Sequence, residues 1–464
     1  MKTTMKFFLL AVILGTFLAG SSMAKQRKLP AGAYIKTAKI HILSGDPERY
    51  EQAILMLDSL FLNYGHHSEG LFWMSQIYVD YIDKTSDLIG KKAFVEKMVA
   101  YNDSLKMCCD KDNKEVDKKF KKDCKKFIDK TDSTSVMYWR QFYNDGIEQL
   151  NEVKLIVSDM NNETDSATLA FYEEKLKTFA DSCRNSVKLA SIIDPANYHP
   201  HVVLATLNEQ LKDYVASNKS LVKALEFAED PEERKPLLMQ MAYNYINMNQ
   251  FCDAIPFFRE YLELAPEDVP NARNLTICYN NCEMFDSAYV LNMRLLAKSP
   301  EDTDVLTSIA RYWNQQGRYA SDSANHYRGL KNDAAAKTWQ GDSEKYFDSA
   351  SVYFKKVFEL KPDDIFAIEE YAIVTAILGR YEVAIVPFKR LTELKPMESN
   401  YWTFLGDCYL NLRKFTEAAS SYEKVVELEP ENADILDRLE DLYKELQKPK
   451  KLKIVQDRLK ELRG

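Results

Sequence analysis

Glycine is scarce in this sequence: it accounts for 14 of 464 residues, about half of the ~7% usual in globular proteins. Neither GxGxxG nor GxxxxGKS/T occurs, so no loop of these types is present to hold a phosphate. The six histidines form no HExxH pattern and no CxxC with HxxxH, and there is no GxSxG elbow. We therefore expect a non-enzymatic protein without a cofactor or a metal site.

The sequence has no apolar stretch long enough to span a bilayer, and one short apolar run lies near its start. That run, Phe7 to Leu18, is shorter than the ~20 residues of a membrane-spanning helix. Lys2 and Lys6 precede it and small residues follow it up to Ala24, which is the order of a secretory signal peptide. We expect residues 1–24 to be removed on export, with the periplasm favoured over the cell surface or the medium. The cleavage point lacks the cysteine that a lipid anchor would need.

No excess of positive charge is present. The chain has 62 basic and 70 acidic residues and a net charge of −8. Loss of the two lysines in the signal segment would change the net charge to −10. The surface as a whole therefore does not favour nucleic acid or anionic lipid as a partner.

Prolines recur at regular intervals in the C-terminal half. They form two runs with a spacing of 34 residues, Pro266 and Pro300, then Pro362, Pro396 and Pro430. The runs are separated by 62 residues, which is one period plus 28. A fixed period of this length indicates a repeat protein. The extra residues predict an insertion in one unit, either lengthening its two helices or lying between them.

The clearest unit follows the pattern W-x2-L-G-x2-Y, A-x3-Y and a final proline. Its residues are Trp402, Leu405, Gly406, Tyr409, Ala418, Tyr422 and Pro430. Spacings of 3, 4 and 7 place the large side chains on one face of a helix, and a proline cannot continue the second helix. The unit resembles the tetratricopeptide repeat, and the resemblance covers at least residues 198–464. It implies an all-α fold, an α-solenoid of stacked antiparallel helix pairs.

The domain organisation follows from where this pattern is strong. Residues 25–163 are expected to be helical, with degenerate repeats and a charged amphipathic helix from Lys111 to Lys130. The repeat array is expected over residues 164–432, with the insertion around residues 320–346, which is either a surface loop or a binding element. Residues 433–464 would form capping helices with a polar outer face.

Eight cysteines in an exported protein could form disulfides. Cys252 begins a second helix and Cys282 ends the next first helix, so neighbouring antiparallel helices would bring the two together. This pair is our main candidate for a bond, and Cys109 with Cys124 is another.

The resemblance also implies where a partner would bind, because first helices line the inner wall of a tetratricopeptide superhelix. Transferred by register, the wall positions are Tyr243, Asn247, Arg273, Asn280, Asn281, Arg311, Asn314, Gln315, Asp407 and Asn411. Amide side chains both donate and accept hydrogen bonds, so this set suits a peptide backbone. The family's dicarboxylate clamp is not expected, since Arg273 is followed one turn later by Ile277.

The expected function is therefore a scaffold that binds another protein or a peptide in the cell envelope, in support of an assembly or secretion complex. An alternative is a surface carbohydrate-capture protein built on similar helices, for which Trp339 in the insertion is the only indication. A third possibility is an enzyme with its site in residues 61–163, although no motif there supports it.

Overall fold

The computed structural model describes residues 28–114 and 116–463. The predicted signal peptide, residues 1–24, lies outside this part of the chain. The described residues form 20 α-helices and one short 3-10 turn, with no strand among them. The all-α expectation is thus confirmed. Two compact units make up the chain, one up to Leu237 and one from Leu238.

Unit 1 consists of helices that pair in order along the chain. They are α1 (Ala31–Ile42), α2 (Pro47–Tyr64), α3 (Ser68–Lys84), α4 (Leu88–Cys109), α5 (Cys124–Asn161), α6 (Ser166–Ile193), α7 (His199–Gln210) and α8 (Tyr214–Phe227). A ninth helix, α9 (Pro231–Asn247), contains the boundary between the units.

The core of unit 1 has two main parts. Helices α1 to α4 enclose fully buried side chains such as Tyr50, Leu57 and Met74. The long helices α5 and α6 pack closely, and a β-carbon at Gly146 would lie 2.5 Å from Cγ1 of Val187. Helix α6 packs along α5 and α7, and residues 164–237 lie in unit 1.

The predicted charged helix from Lys111 to Lys130 is wrong in its first half. The described residues between 110 and 123 form a loop with a 3-10 turn at Lys118–Phe120, and α5 begins only at Cys124. A Cys109–Cys124 disulfide closes this loop. Buried Phe120 packs against Tyr64 and His67 of the preceding helices. The apolar periodicity of this segment predicted a helix, but these tertiary contacts stabilise a loop instead.

Unit 2 contains the C-terminal part of α9 and eleven further helices. They are α10 (Phe251–Leu264), α11 (Val269–Asn281), α12 (Phe285–Lys298), α13 (Thr303–Gly329), α14 (Asp333–Leu360), α15 (Ile365–Ile377), α16 (Tyr381–Leu394), α17 (Ser399–Asn411), α18 (Phe415–Leu428), α19 (Ala433–Glu445) and α20 (Pro449–Arg463). Odd-numbered helices are the first helices of their pairs, and even-numbered helices are the second.

Residues at the helix boundaries of unit 2 determine where its helices begin and end. In the first five helix pairs of unit 2 the periodic proline stands two residues after the second helix, as with Pro266 after Leu264. Most first helices of unit 2 begin with a side-chain cap; the Asp268 carboxylate, for example, accepts from the Asn271 amide at 3.0 Å. Between the first and second helices one residue has positive φ. These residues are Asn249, Glu283, Lys331, Gly379, Arg413 and Gln447, and all but Lys331 keep the 34-residue spacing within their run.

The 28 extra residues lengthen both helices of one pair. Helices α13 and α14 have 27 and 28 residues, each 14 more than α11 and α12. At 1.5 Å per residue this adds about 21 Å to each helix. We call residues 316–346 the helical arm. Small residues hold its helices together, and the Ser343 hydroxyl donates to the Gly317 carbonyl at 2.9 Å.

The C-terminal end closes the core of unit 2. Leu436 and Leu439 of α19 are buried, and Val455 and Leu459 of α20 cover them in the same apolar cluster. The other side of α20 is largely exposed and charged, as the end of a stacked array needs to be.

Candidate binding surface

The first helices of unit 2 contact one another in an unbroken row. A side-chain hydrogen bond or ion pair joins each to the next, through Tyr243–Asn271, Arg273–Asp302, Asn314–Glu370, Tyr401–Glu369 and Arg438–Asp407. The row continues past the helical arm, because Asn314 of α13 reaches α15 directly. We use the name first-helix wall for the solvent-exposed side of the first helices of unit 2, which are α9 (from Leu238), α11, α13, α15, α17 and α19. The ten predicted site residues all lie on these helices.

Four of the ten side chains are engaged in holding neighbouring helices together. The Tyr243 hydroxyl donates to Oδ1 of Asn271 at 2.9 Å and accepts from Nδ2 of Asn274 at 2.8 Å. Arg273 pairs with Asp302 and, at 3.8 Å, with Asp304. Both side chains therefore already have hydrogen-bond or ion-pair partners within unit 2.

Asn314 does not offer its amide to a groove as predicted. The residue is 6% exposed, and its Nδ2 donates to Oε2 of Glu370 at 2.6 Å. Its buried Oδ1 has no hydrogen-bond partner among the described residues. The side chain is buried and reaches across to α15, which register alone could not show.

Glu370 lies in a partly buried environment between α13 and α15. Burial raises the pKa of its carboxyl, and the positive charge of Arg318 opposes that shift. The Arg318 guanidinium lies 3.9 Å from Oε2 of Glu370, and its own side chain is largely exposed. The Glu370 carboxylate therefore interacts with both the Asn314 amide and the Arg318 guanidinium.

Asp407 is likewise a structural residue. Its Oδ1 accepts from the Tyr422 hydroxyl at 2.5 Å and forms an ion pair with Arg438. Burial, together with this carboxylate, raises the pKa of the Tyr422 phenol. Asp407 thus connects its own helix pair to the next one.

The remaining predicted residues are exposed. Asn281 and Asn411 donate to carbonyls of their own helices, those of Ile277 and Asp407. Asn247, Asn280 and Gln315 are exposed, and Arg311 lies over the ring of Phe366, 5.6 Å from its centroid. No ion pair is found for Arg311 within the described residues.

The sequence analysis missed the apolar side chains of the wall. Four aromatic residues are exposed in the described part of unit 2, and all four lie on first helices: Tyr243, Tyr319, Phe366 and Phe404. The sequence of α15 could have indicated this apolar surface, because the helix is apolar on nearly every side. A helix of that kind is normally buried, yet Phe366 and Ile377 are 42% and 53% exposed.

Models of the tetratricopeptide repeat match residues 236–268 and 399–432. The chain is a tetratricopeptide-repeat protein. Repeats of this family form protein-interaction scaffolds, and that is the class of protein to which the chain belongs. Comparison with curated protein sequences finds no significant match.

Solved structures similar to this chain include other proteins of the same class. MamA MSR-1 is 19% identical, with 42% of this chain and 97% of that one covered and a TM-score of 0.32. YrrB, described as a TPR protein with an unusual peptide-binding site, is 18% identical, with coverages of 48% and 98% and a TM-score of 0.33. A thermophilic TPR protein of Thermus thermophilus is 17% identical, with coverages of 45% and 98% and a TM-score of 0.27.

Within residues 28–114 and 116–463, His, Cys, Asp and Glu side chains form no group of three or more that could hold a metal ion. Over the same ranges, every helix is too short or too polar to cross a membrane.

Proposed function

We propose that this protein is exported and acts in the cell envelope as a non-enzymatic scaffold that binds a protein or peptide segment along the first-helix wall. Export is supported by the signal-like order of residues 1–24. An envelope assembly or secretion complex is the setting that this address and the repeat class support best.

The observation that carries the proposal is the position of the exposed aromatic residues. Tyr243, Phe366 and Phe404 are 37%, 42% and 38% exposed on three different first helices. Aromatic side chains are enriched in protein interfaces, where they bury large apolar areas. The second helices of unit 2 expose no aromatic side chain among their described residues; their exposed apolar residues are mostly valine and leucine.

Site-specific photo-crosslinking tests which surface is used. A photoreactive residue at Ile277 or Ile377 would lie on first helices, and one at Val290 or Val352 on second helices, all four positions being about half exposed. The mature chain is crosslinked in envelope extracts and the adducts are mapped by mass spectrometry. We expect the same partner at both first-helix positions and none at the valines. Adducts confined to the valines would refute the proposal.

Export is tested separately. Cell fractionation and sequencing of the mature N-terminus should find the chain outside the cytoplasm and beginning at Lys25. A cytoplasmic protein that retains Lys2 and Lys6 would remove the envelope part of the proposal and leave the binding surface untouched.

A further inference from the structure

Helix α15 carries an apolar stripe on the first-helix wall. Phe366, Glu370, Ile373 and Ile377 are spaced by 4, 3 and 4 residues, so they lie along one side of the helix. Phe366 and Ile377 are exposed and Ile373 is partly exposed. Exposed apolar side chains aligned in this way are typical of an interaction site.

The next first helix adds an aromatic ring close to this stripe. The Tyr401 hydroxyl of α17 reaches Oε2 of Glu369 on α15 at 3.5 Å, and Phe404 lies one turn further along α17. The Phe404 ring packs against Phe388 and is 38% exposed. The apolar surface thus extends over two neighbouring first helices.

One arginine beside this stripe, Arg311, has no ion pair among the described residues. Elsewhere on the wall, Arg273 is balanced by Asp302 and Asp304, and Arg438 by Asp407. On α13, Arg311 and Arg318 are seven residues apart and therefore lie on the same side of the helix. Arg318 forms an ion pair with Glu370 at 3.9 Å, whereas Arg311 interacts with that carboxylate only at longer range.

Arg311 is placed to bind an anion. Its guanidinium lies over the ring of Phe366, a contact that holds the side chain in position without neutralising its charge. The planar group keeps its donors for a carboxylate, which it can bind through two hydrogen bonds. A carboxylate bound there would lie next to the exposed ring.

We propose that α13, α15 and α17 bind a peptide segment of a partner protein in which acidic side chains alternate with large apolar ones. The apolar side chains pack on Phe366, Ile373 and Ile377, and a carboxylate pairs with Arg311. This inference rests on the proposed function, since it names the chemistry of the segment that the wall binds. The guanidinium of Arg311, which has no ion pair among the described residues, favours this occupant over a basic peptide.

Fluorescence anisotropy with three series of labelled short peptides tests the inference on the mature full-length chain. All series carry the same leucine and phenylalanine side chains, flanked by Asp and Glu, by the matched amides Asn and Gln, or by Lys and Arg. We expect the acidic series to bind about three- to fivefold more tightly than the amide series, with the preference lost at high salt. The basic series should bind most weakly.

Substitutions separate charge from apolar contact. Arg311→Gln should abolish the preference for acidic over amide peptides while the affinity for the amide series is retained. Phe366→Ser should weaken binding of every series. The matched controls are Arg294→Gln and Val352→Ser, exposed residues on second helices, and both should bind like the parent chain. Circular dichroism verifies that each variant is folded.

Several results would overturn this inference. Equal binding of acidic and amide peptides would do so, as would a preference for acidic peptides that survives Arg311→Gln. Failure of every peptide series to bind would also refute it. Self-association of the chain that is lost in Phe366→Ser would make a second copy of the chain the occupant instead. If crosslinks at Ile277 and Ile377 persist in any of these cases, the proposed function stands and only the chemistry of the segment is refuted. Crosslinks confined to second helices would refute the proposed function instead.

Discussion

The ring of Tyr422 occupies the space into which a β-carbon at Gly406 would project. An ideal β-carbon there would lie 2.5 Å from Cε1 of the ring, and Tyr422 is completely buried. Glycine at this position allows α17 and α18 to cross closely enough for the Tyr422 hydroxyl to reach Asp407. Gly317 and Phe347 repeat the relationship at the base of the helical arm, at 2.8 Å.

Gly406→Ala is therefore expected to destabilise unit 2 by about 1–3 kcal/mol, because a buried ring must move. The same substitution at Gly341, a helical position with open space around it, should stabilise the protein by up to about 1 kcal/mol through helix propensity. Urea denaturation of the two variants measures both effects. Equal changes in the two variants would contradict the packing argument.

Asp407 is expected to matter for stability more than for binding. Asp407→Ala leaves the buried Tyr422 hydroxyl and the Arg438 guanidinium without their shared acceptor, which should cost about 1–3 kcal/mol. Asn411→Ala, one turn away and exposed, should change stability by less than about 0.5 kcal/mol. Denaturation midpoints, measured together with photo-crosslinking at Ile377, test this expectation. Loss of crosslinking by a folded Asp407→Ala variant would assign that residue to the binding surface instead.

The stability of the protein should depend on pH through Glu370. Burial raises the pKa of this carboxyl above its ordinary value of 4.5, so the folded state binds the proton more tightly than the unfolded state. Its contribution to the free energy of unfolding therefore falls as pH rises through the interval between the two pKa values. Glu370→Gln should be more stable than the parent at pH 7, with the difference vanishing below about pH 4. A variant that is less stable at pH 7 would show that the ion pair with Arg318 outweighs burial.

The structure contains two disulfides, Cys109–Cys124 and the predicted Cys252–Cys282, whose Cα atoms are 5.6 Å apart. Thiol reactivity should report both of them. Cys108, Cys183, Cys278 and Cys408 are free and buried, and burial raises the pKa of the first three to about 11 and of Cys408 to about 12. The native oxidised chain should therefore react negligibly with a thiol reagent at pH 8. Four thiols should react after unfolding without reductant and eight after reduction. Eight thiols without reductant would show that neither bond forms.

Much of the fold was predictable because residues close together in the sequence define the repeat. Pro362 and Pro396 each stand two residues after the end of a second helix, and Trp402, Leu405 and Tyr409 mark one face of a helix by their spacing. Even here the prediction was incomplete: Tyr409 is buried, but Trp402 is only partly buried and its Nε1 donates to the Pro396 carbonyl at 3.0 Å. The candidate site was less predictable, since register places a residue on a helix without showing what lies opposite it. Asn314 and Asp407 were chosen as binding residues, and both meet partners on other helices.

The amino-acid sequence by itself determined the helix pairs, their 34-residue period and the size of the insertion, because proline, glycine and apolar spacing act over one or two turns of chain. Only the tertiary structure decided that the insertion lengthens two helices equally, that residues between Cys109 and Cys124 form a closed loop, and which wall side chains remain exposed. Those outcomes depend on contacts between residues that are distant in the chain. Arg311 and Phe366, for example, are brought together although the whole helical arm lies between them in sequence.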